Sequence, residues 1–336
     1  MTIVNKTYIP VVSKEIAQSL MNDFGRHREA FFFIIDFEMK RPIVLSKKQL
    51  QDYPVWWKIN RHQNYQSVFN HQLRKTIELR KKPISLCRYQ HAFDKVQRAI
   101  NQGNSYLLNL TFPTPIQINL SLEDIFKQSS AKYKLLLNQD LVLFSPETFI
   151  QIQDGKIASF PMKGTIDASV PNAKELILAD PKEKAEHCTI VDLIRNDLNL
   201  VASNVQVEQF QYIDYLKTAQ KELLQVSSKI TGDLPENYQD QIGDILMRLL
   251  PAGSISGAPK KKTIEIIQEA EGQARGYYTG VFGYFDGTNL DSGVMIRYIE
   301  RVNDQLFYRS GGGITTSSIC NKEYQELLDK VYVPIY

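Results

Sequence analysis

Residues 149–160, FIQIQDGKIASF, alternate apolar and polar side chains on either side of Asp154-Gly155, which points to a β-hairpin with antiparallel neighbours. Two further strand signals precede it, SYLLNLTF at 105–112 and LVLFSPETFI at 141–150, together with one amphipathic helix, FDKVQRAINQG at 93–103. Strands that follow one another without an intervening helix exclude regular βαβ alternation, so an α+β fold is expected. Nearer the N-terminus, FFFIIDFEMKRPIVL (31–45) reads as a strand pair around a polar turn, and QLRKTIELRKK (72–82) as an exposed basic helix. This change of texture divides the chain into a short N-terminal subdomain, 1–85, and a larger unit, 86–336.

The 336 residues are 43% hydrophobic and 23% charged, with 17 Gly and 14 Pro, a composition that supports a sizeable core and excludes disordered, collagen-like and repeat chains. Forty basic against 37 acidic residues leave a net charge of +3, too small for a strong, salt-dependent nucleic-acid binder. Phe31–Ile35 is the longest strongly apolar run and is far below a membrane span, and no signal pattern opens the chain; a cytoplasmic protein without nucleic-acid or membrane partners is expected. Cys87, Cys188 and Cys320 form no CxxC pair, so disulfides and cysteine-type zinc sites are not expected.

Asp180-Pro181-Lys182-Glu183 reads as a helix start, with Asp180 as N-cap, and the helix should run to about Asp197. Glu183, Glu186, Ile190 and Ile194 then share one stripe. A C-terminal helix from about Asn321 to Tyr332 repeats the spacing with Glu323 and Glu326, and Lys330 follows one turn on. Four carboxylates brought together suit a hard cation such as Mg²⁺, although each pair alone also reads as solvated helix surface. FPMKGT (160–165) puts Lys163 after a strand and before Gly164, where a desolvated amine could act as nucleophile or base; a surface lysine is the plainer reading. Glu147, in SPE, could reach the same cleft as an acid/base partner if the two strands pair. PAGSISGAPK (251–260) is a small-residue loop entering a helix, whose backbone N–H groups suit a carboxylate or phosphate, and it lacks the ending of a nucleotide-binding loop. RGYYTGVFGY, MIRY and RSGGGIT follow as strand or strand-end segments in which Arg297 could clamp a carboxylate.

Taken in order, SPE, PMKGT, EKAEHxxxVDLIRNDL, PAGSISGAPK, GYYTGVFGY, MIRY, GGGIT and EYxExxxK resemble the motifs of the chorismate-utilising enzymes, over about Tyr89 to Tyr336. Lys163, where anthranilate and isochorismate synthases usually carry Ala, makes the chain most similar to the aminodeoxychorismate synthase component I branch. The resemblance implies two mostly antiparallel sheets facing each other with helices outside. It implies Mg²⁺ held by Glu183, Glu186, Glu323 and Glu326, with Lys163 as nucleophile and Glu147 as general acid/base. Chorismate would be bound by Arg297, Tyr278, Gly312, Gly313, Lys330, Ser254, Gly257 and Ala258. The reaction implied is amination of chorismate to 4-amino-4-deoxychorismate in p-aminobenzoate and folate formation, with anthranilate or isochorismate synthesis as the alternatives.

Four departures from the family pattern stand out. Gln225, in QVSS, occupies the place of a family histidine, and glutamine cannot shuttle a proton. Tyr298 replaces the Thr of the IRT motif, and TTSS follows GGGI where relatives have VxDS. The N-terminal part is shorter than the region that builds a tryptophan pocket in relatives. No cysteine has the setting of a glutaminase nucleophile, so a separate glutamine amidotransferase subunit is the expected source of ammonia.

Overall fold

The computed structural model describes residues 8–66, 77–217 and 222–335. Within them FFFII forms strand Phe31–Ile35, buried at every position. Phe31, Phe33 and Ile35 pack with Ala17 and Met21 of helix Lys14–Arg26 and with Ile245 of helix Ile242–Leu249. Phe32 and Ile34 face the other way, onto Val55, Trp57 and Leu135. A strand covered on both faces has no polar face to present, which explains the unbroken apolar run.

That strand belongs to the first of two nine-stranded sheets found among the described residues. The first sheet runs Met162–Asp167, Glu222–Asp233, Lys156–Ser159, Thr148–Gln153, Leu290–Val294, Val281–Phe285, Phe31–Ile35, Ile43–Ser46, with Ser203–Lys217 also paired to Glu222–Asp233. The second runs Gly257–Ala258, Leu107–Ile118, Gln305–Ile314, Tyr298–Val302, Leu141–Ser145, Tyr133–Leu137, Val55–Ile59, His62–Gln63, with Leu79–Lys81 also paired to Leu107–Ile118. Neighbours pair antiparallel, Phe31 opposite Phe285 in one sheet and Gly313 opposite Asn109 in the other. The sheets meet through aromatic contacts: Phe32 stacks on Trp57 at 5.8 Å, and Tyr133 meets Phe282 edge-on at 6.3 Å. Helix Leu122–Gln128 covers the far side of the second sheet, setting Ile125 and Phe126 on Leu136, Val142 and Phe144. The architecture is α+β, as the strand order implied.

Two features differ from the sequence expectation. The basic helix over 72–82 is not formed where the chain is described: residues 72–76 lie outside the described residues, and Leu79–Lys81 is a strand. The cause is strand Leu107–Ile118, which runs to 12 residues and offers its far end to Leu79 and Lys81, opposite Ile118 and Ile116. Short, charged strands are the usual finish for such an edge. LVLFSPETFI is also not one strand. Pro146 has no N–H for a ladder, and there the chain leaves Leu141–Ser145 in the second sheet for Thr148–Gln153 in the first. Glu147 therefore sits at a crossing between the sheets.

Local signals elsewhere hold. The hairpin turns on Asp154 and Gly155, both at positive φ, 51° and 75°. Helix Pro181–Leu198 starts as expected, with Asp180 Oδ1 accepting the Glu183 N–H at 3.0 Å. The C-terminal helix is Cys320–Asp329, three residues shorter at its end than expected, and Lys330 caps it. Among the described residues no helix is long and apolar enough to cross a membrane. All three cysteines are free.

Candidate active site

The crossing at Pro146-Glu147 forms part of the wall of a cavity of about 490 Å³. Strand Met162–Asp167 contributes Lys163 and Thr165, helix Pro181–Leu198 contributes Glu183 and Glu186, and helix Cys320–Asp329 contributes Glu323 and Glu326. Tyr278, Arg297, Ser254, Gly313 and Lys330 complete the set of expected residues that line it.

Lys163 stands in the middle of this arrangement. Its Nζ is 3.8 Å from Glu186 Oε2. A bulge between Lys163 and Thr165 is made by Gly164 at φ 75°, where a Cβ would stand 3.2 Å from Glu183 Oε2. Across the cavity, a Cβ on Gly313 would lie 3.3 Å from Lys163 Nζ, so a bare backbone there leaves the amine its space. Gly312 borders the second acidic helix: its Cβ position is 3.2 Å from Glu326 Oε1 and 3.5 Å from Glu323 Oε2. The two acidic helices thus border one chamber, which Lys163 also lines.

Glu147 accepts a hydrogen bond from Ser254 Oγ at 2.5 Å. Burial raises its carboxyl pKa, and the Ser254 bond and the charges of Lys163, Lys330 and Arg297 offset only part of that. The result is a carboxyl that keeps its proton to higher pH than an exposed glutamate. Ser254 lies in the single helical turn Gly253–Ser256, and Asn109 Nδ2 donates to its carbonyl at 3.2 Å.

The far end of the cavity is cationic. Arg297, at φ 53°, donates to the Lys330 carbonyl at 3.2 Å and lies 5.0 Å over the Tyr332 ring. Lys330 Nζ donates to Gly311 O at 2.8 Å and to Glu326 Oε1 at 2.5 Å. Burial lowers the Lys330 pKa, opposed by Glu326 and reinforced by Arg297 and Lys163. Tyr308 adds a buried hydroxyl beside the Arg297 guanidinium, and burial pushes the Tyr278 hydroxyl up to about 12. Two cations and two protonated phenols make a receptor for carboxylate oxygens.

Behind the wall lies a closed polar network that the sequence did not reveal. Arg275 donates to Glu271 at 2.6 and 3.0 Å, to Asn109 O at 2.7 Å and to Thr279 Oγ1 at 3.3 Å. Glu271 in turn accepts from the N–H and hydroxyl of Thr111 at 2.9 Å each. Asn109, Thr111 and Thr279 all face the cavity, so this pair fixes its floor. An i, i+4 Glu–Arg spacing was the only sequence signal, and it is indistinguishable from a surface pair. Tyr308 was equally hidden, inside an ordinary strand, Gln305–Ile314.

Two expectations need correction, and a third falls outside the described residues. The strands beside Glu147 and Lys163 do not pair, since Lys156–Ser159 and Glu222–Asp233 lie between Thr148–Gln153 and Met162–Asp167; both residues nevertheless line the one cavity. Gly257 does not line the cavity: it pairs with Leu108, and a Cβ on it would fall 1.8 Å from Leu107 O. The Ala258 side chain lies outside the described residues, although its backbone pairs with Leu107.

The donor chemistry of the four glutamates fits a hard divalent cation, which takes carboxylate oxygens. Among the described residues no three acidic, imidazole or thiol groups are already gathered at ligand spacing.

The sequence profile of the chorismate binding enzyme family matches residues 20–335. A PabA-like protein from Pasteurella multocida is 52% identical over 316 residues, covering 94% of this chain and 97% of that protein. Aminodeoxychorismate synthase component 1 of Escherichia coli is 34% identical over 259 residues, 72% of this chain and 56% of the relative. Among solved structures, the menaquinone-specific isochorismate synthase of Escherichia coli superimposes with a TM-score of 0.72 at 15% identity, over 96% of this chain and 82% of that one, a likeness of fold. With matching sequence along nearly its whole length and the same paired-sheet frame, the chain belongs to the chorismate binding enzymes.

Proposed function

We propose that this protein is the aminating component of an aminodeoxychorismate synthase, converting chorismate and ammonia to 4-amino-4-deoxychorismate and water. The observation that carries the reading is the Lys163 amine, lining a chamber that also holds four carboxylates and a cluster of cations and phenols. Similarity to the component 1 enzyme of Escherichia coli supports it.

Chorismate is a dianion, and its side-chain carboxylate suits Arg297, Tyr308, Tyr278 and Lys330. Glu183, Glu186, Glu323 and Glu326 would hold Mg²⁺ beside the ring carboxylate. Bound there, the ion would supply Lewis acidity and a fixed positive charge. The free amine of Lys163 attacks C2 as the ring double bond shifts and the C4–O bond breaks. Glu147, whose carboxyl burial holds to a higher pKa than that of an exposed glutamate, gives its proton to the departing oxygen, which leaves as water. Ammonia then bonds to C4, the shifted double bond returns, and the C2–N bond breaks, freeing Lys163 as a neutral amine. The Glu147 carboxylate takes the extra proton from the new C4 nitrogen, and the site is restored. One poor displacement has become two easier ones. A glutamine amidotransferase subunit would be the natural source of ammonia.

The test is a product assay with chorismate, MgCl₂ and an ammonium salt, coupled to an aminodeoxychorismate lyase. p-Aminobenzoate is the expected product; anthranilate or isochorismate in its place would refute the assignment.

A further inference from the structure

Among the described residues two arginines line the cavity, Arg297 and Arg309. Arg309 is held by a carboxylate, with its Nε 2.5 Å from Glu300 Oε1. Arg297 is held differently. Its guanidinium carbon lies 5.0 Å over the centre of the Tyr332 ring, one N–H goes to the Lys330 carbonyl at 3.2 Å, and among the described residues no carboxylate stands within ion-pair distance of it. Its backbone is fixed as well, at φ 53° with the carbonyl accepting from the Phe144 N–H at 3.1 Å. Tyr332 is 43% exposed, on a tail whose neighbours are anchored: Val331 is buried in the same cluster as Phe126 and Phe144, and Ile335 bridges to Ser129.

Resting on the reading of Arg297 as receptor for a chorismate carboxylate, we infer that Tyr332 is the positioning residue of that receptor, holding the guanidinium by a ring face and leaving its N–H edge to the substrate. An aromatic face attracts a cation without accepting its in-plane N–H bonds. A carboxylate in the same place would take some of the five donors and offset the charge, as Glu300 does for Arg309. An arginine with no partner would give up its rotamer freedom each time substrate arrived, and the ring removes that cost beforehand. The placement fits this role. Arg297, Glu326 and Lys330 line both the chamber and a more open hollow of about 420 Å³, whereas Tyr332 lines the hollow alone. The ring thus backs the guanidinium from outside the chamber and takes no room from the substrate.

The experiment is titration of the full chain with chorismate in MgCl₂ and without ammonium, which reads the dissociation constant apart from turnover, for wild type, Tyr332→Phe, Tyr332→Leu and Tyr332→Glu. Tyr332→Phe keeps the ring face and should bind within about twofold of wild type. Tyr332→Leu should weaken binding about fivefold to tenfold, the worth of one partly desolvated contact between cation and ring. Tyr332→Glu should be the weakest, by about 30-fold or more, because its carboxylate occupies the donors that the substrate needs although it holds the arginine in place. With ammonium added, the chorismate KM should rise in the same order while kcat stays within about threefold. Equal binding by wild type and Tyr332→Leu overturns the inference, as does a loss in Tyr332→Phe as large as that in Tyr332→Glu, a contrast that decides the matter even without a folded leucine variant. A graded series in chorismate binding with no aminated product supports the positioning role and overturns the amination reading alone. A wild type that does not bind chorismate overturns both.

Discussion

Two ion pairs only a few residues' thickness apart do opposite work. Arg275 and Glu271 are each 1% exposed, bond at 2.6 and 3.0 Å, and have their remaining hydrogen-bonding capacity taken up by Asn109, Ile255, Thr279 and Thr111. Lys163 and Glu186 are 23% and 14% exposed, stand 3.8 Å apart, and open onto the cavity. The first pair is saturated by protein and fixes structure. The second stands at the cavity wall, where the proposed reaction would place its substrate. On the proposed reading the first pair is scaffold and the second belongs to the chemistry.

The contrast is sharpest in substitutions. Lys163→Ala should lower kcat about 10³-fold or more, while denaturant titration shows stability within about 1 kcal/mol of wild type. Glu271→Gln should do the reverse. It leaves Arg275 charged and underpaired in the interior, which costs about 3–5 kcal/mol, readable as a fall in the denaturation midpoint. Should Lys163→Ala unfold the protein, or Glu271→Gln leave it as stable as wild type, the division between the two pairs collapses.

Glu147 crosses that division, being buried like the first pair and facing the cavity like the second. Its folded pKa lies above the unfolded value, so the native state binds the extra proton. The stability it contributes is present below the unfolded pKa and is lost as pH rises through the folded one. Activity that needs the protonated carboxyl falls over the same rise. Glu147→Gln, which can still accept from Ser254, should therefore lose about 10²-fold in kcat, show no loss of stability across this pH window, and gain relative stability on its alkaline side. Paired pH profiles of kcat and of unfolding midpoint check both halves.

How far the sequence alone leads follows the range of the interactions. The Asp154-Gly155 turn, the Asp180 cap and the Glu183/Glu186 and Glu323/Glu326 stripes depend on residues within one turn of each other, and each forms as read. Residues 79–81 show the opposite case: a basic stretch with helix-like spacing becomes a strand because a distant strand is long enough to pair with it. Glu147 and Lys163 do line one cavity, yet not by the pairing the sequence suggests, since two strands of the same sheet separate theirs. Thr111, Thr279 and Tyr308 carried no signal, because threonine and tyrosine in a strand are ordinary. Their role comes from the Arg275–Glu271 network and from the cavity, neither of which any short stretch of sequence contains.

A third pair tests the middle ground. Asp197 and Lys260 bond at 2.8 Å with side chains 13% and 20% exposed, and Lys260 also donates to Leu249 O at 2.7 Å. Asp197 Oδ2 occupies the space beside Gly253, 2.7 Å from where a Cβ would stand. The pair thus clamps both ends of the loop that carries Ser254, and through Ser254 it orients Glu147. Losing it leaves the catalytic groups present but less well held. Lys260→Met should cost about 1–2 kcal/mol of stability and lower kcat about threefold to tenfold, with the chorismate KM little changed. The decisive measurement is a double-mutant cycle on kcat. Lys260→Met combined with Ser254→Ala should cost less than the product of the two single effects, because both act on the same Glu147 contact, whereas Lys260→Met combined with Arg297→Lys should be close to multiplicative. If Ser254 and Lys260 prove independent, the clamp is scaffold alone and belongs with Arg275.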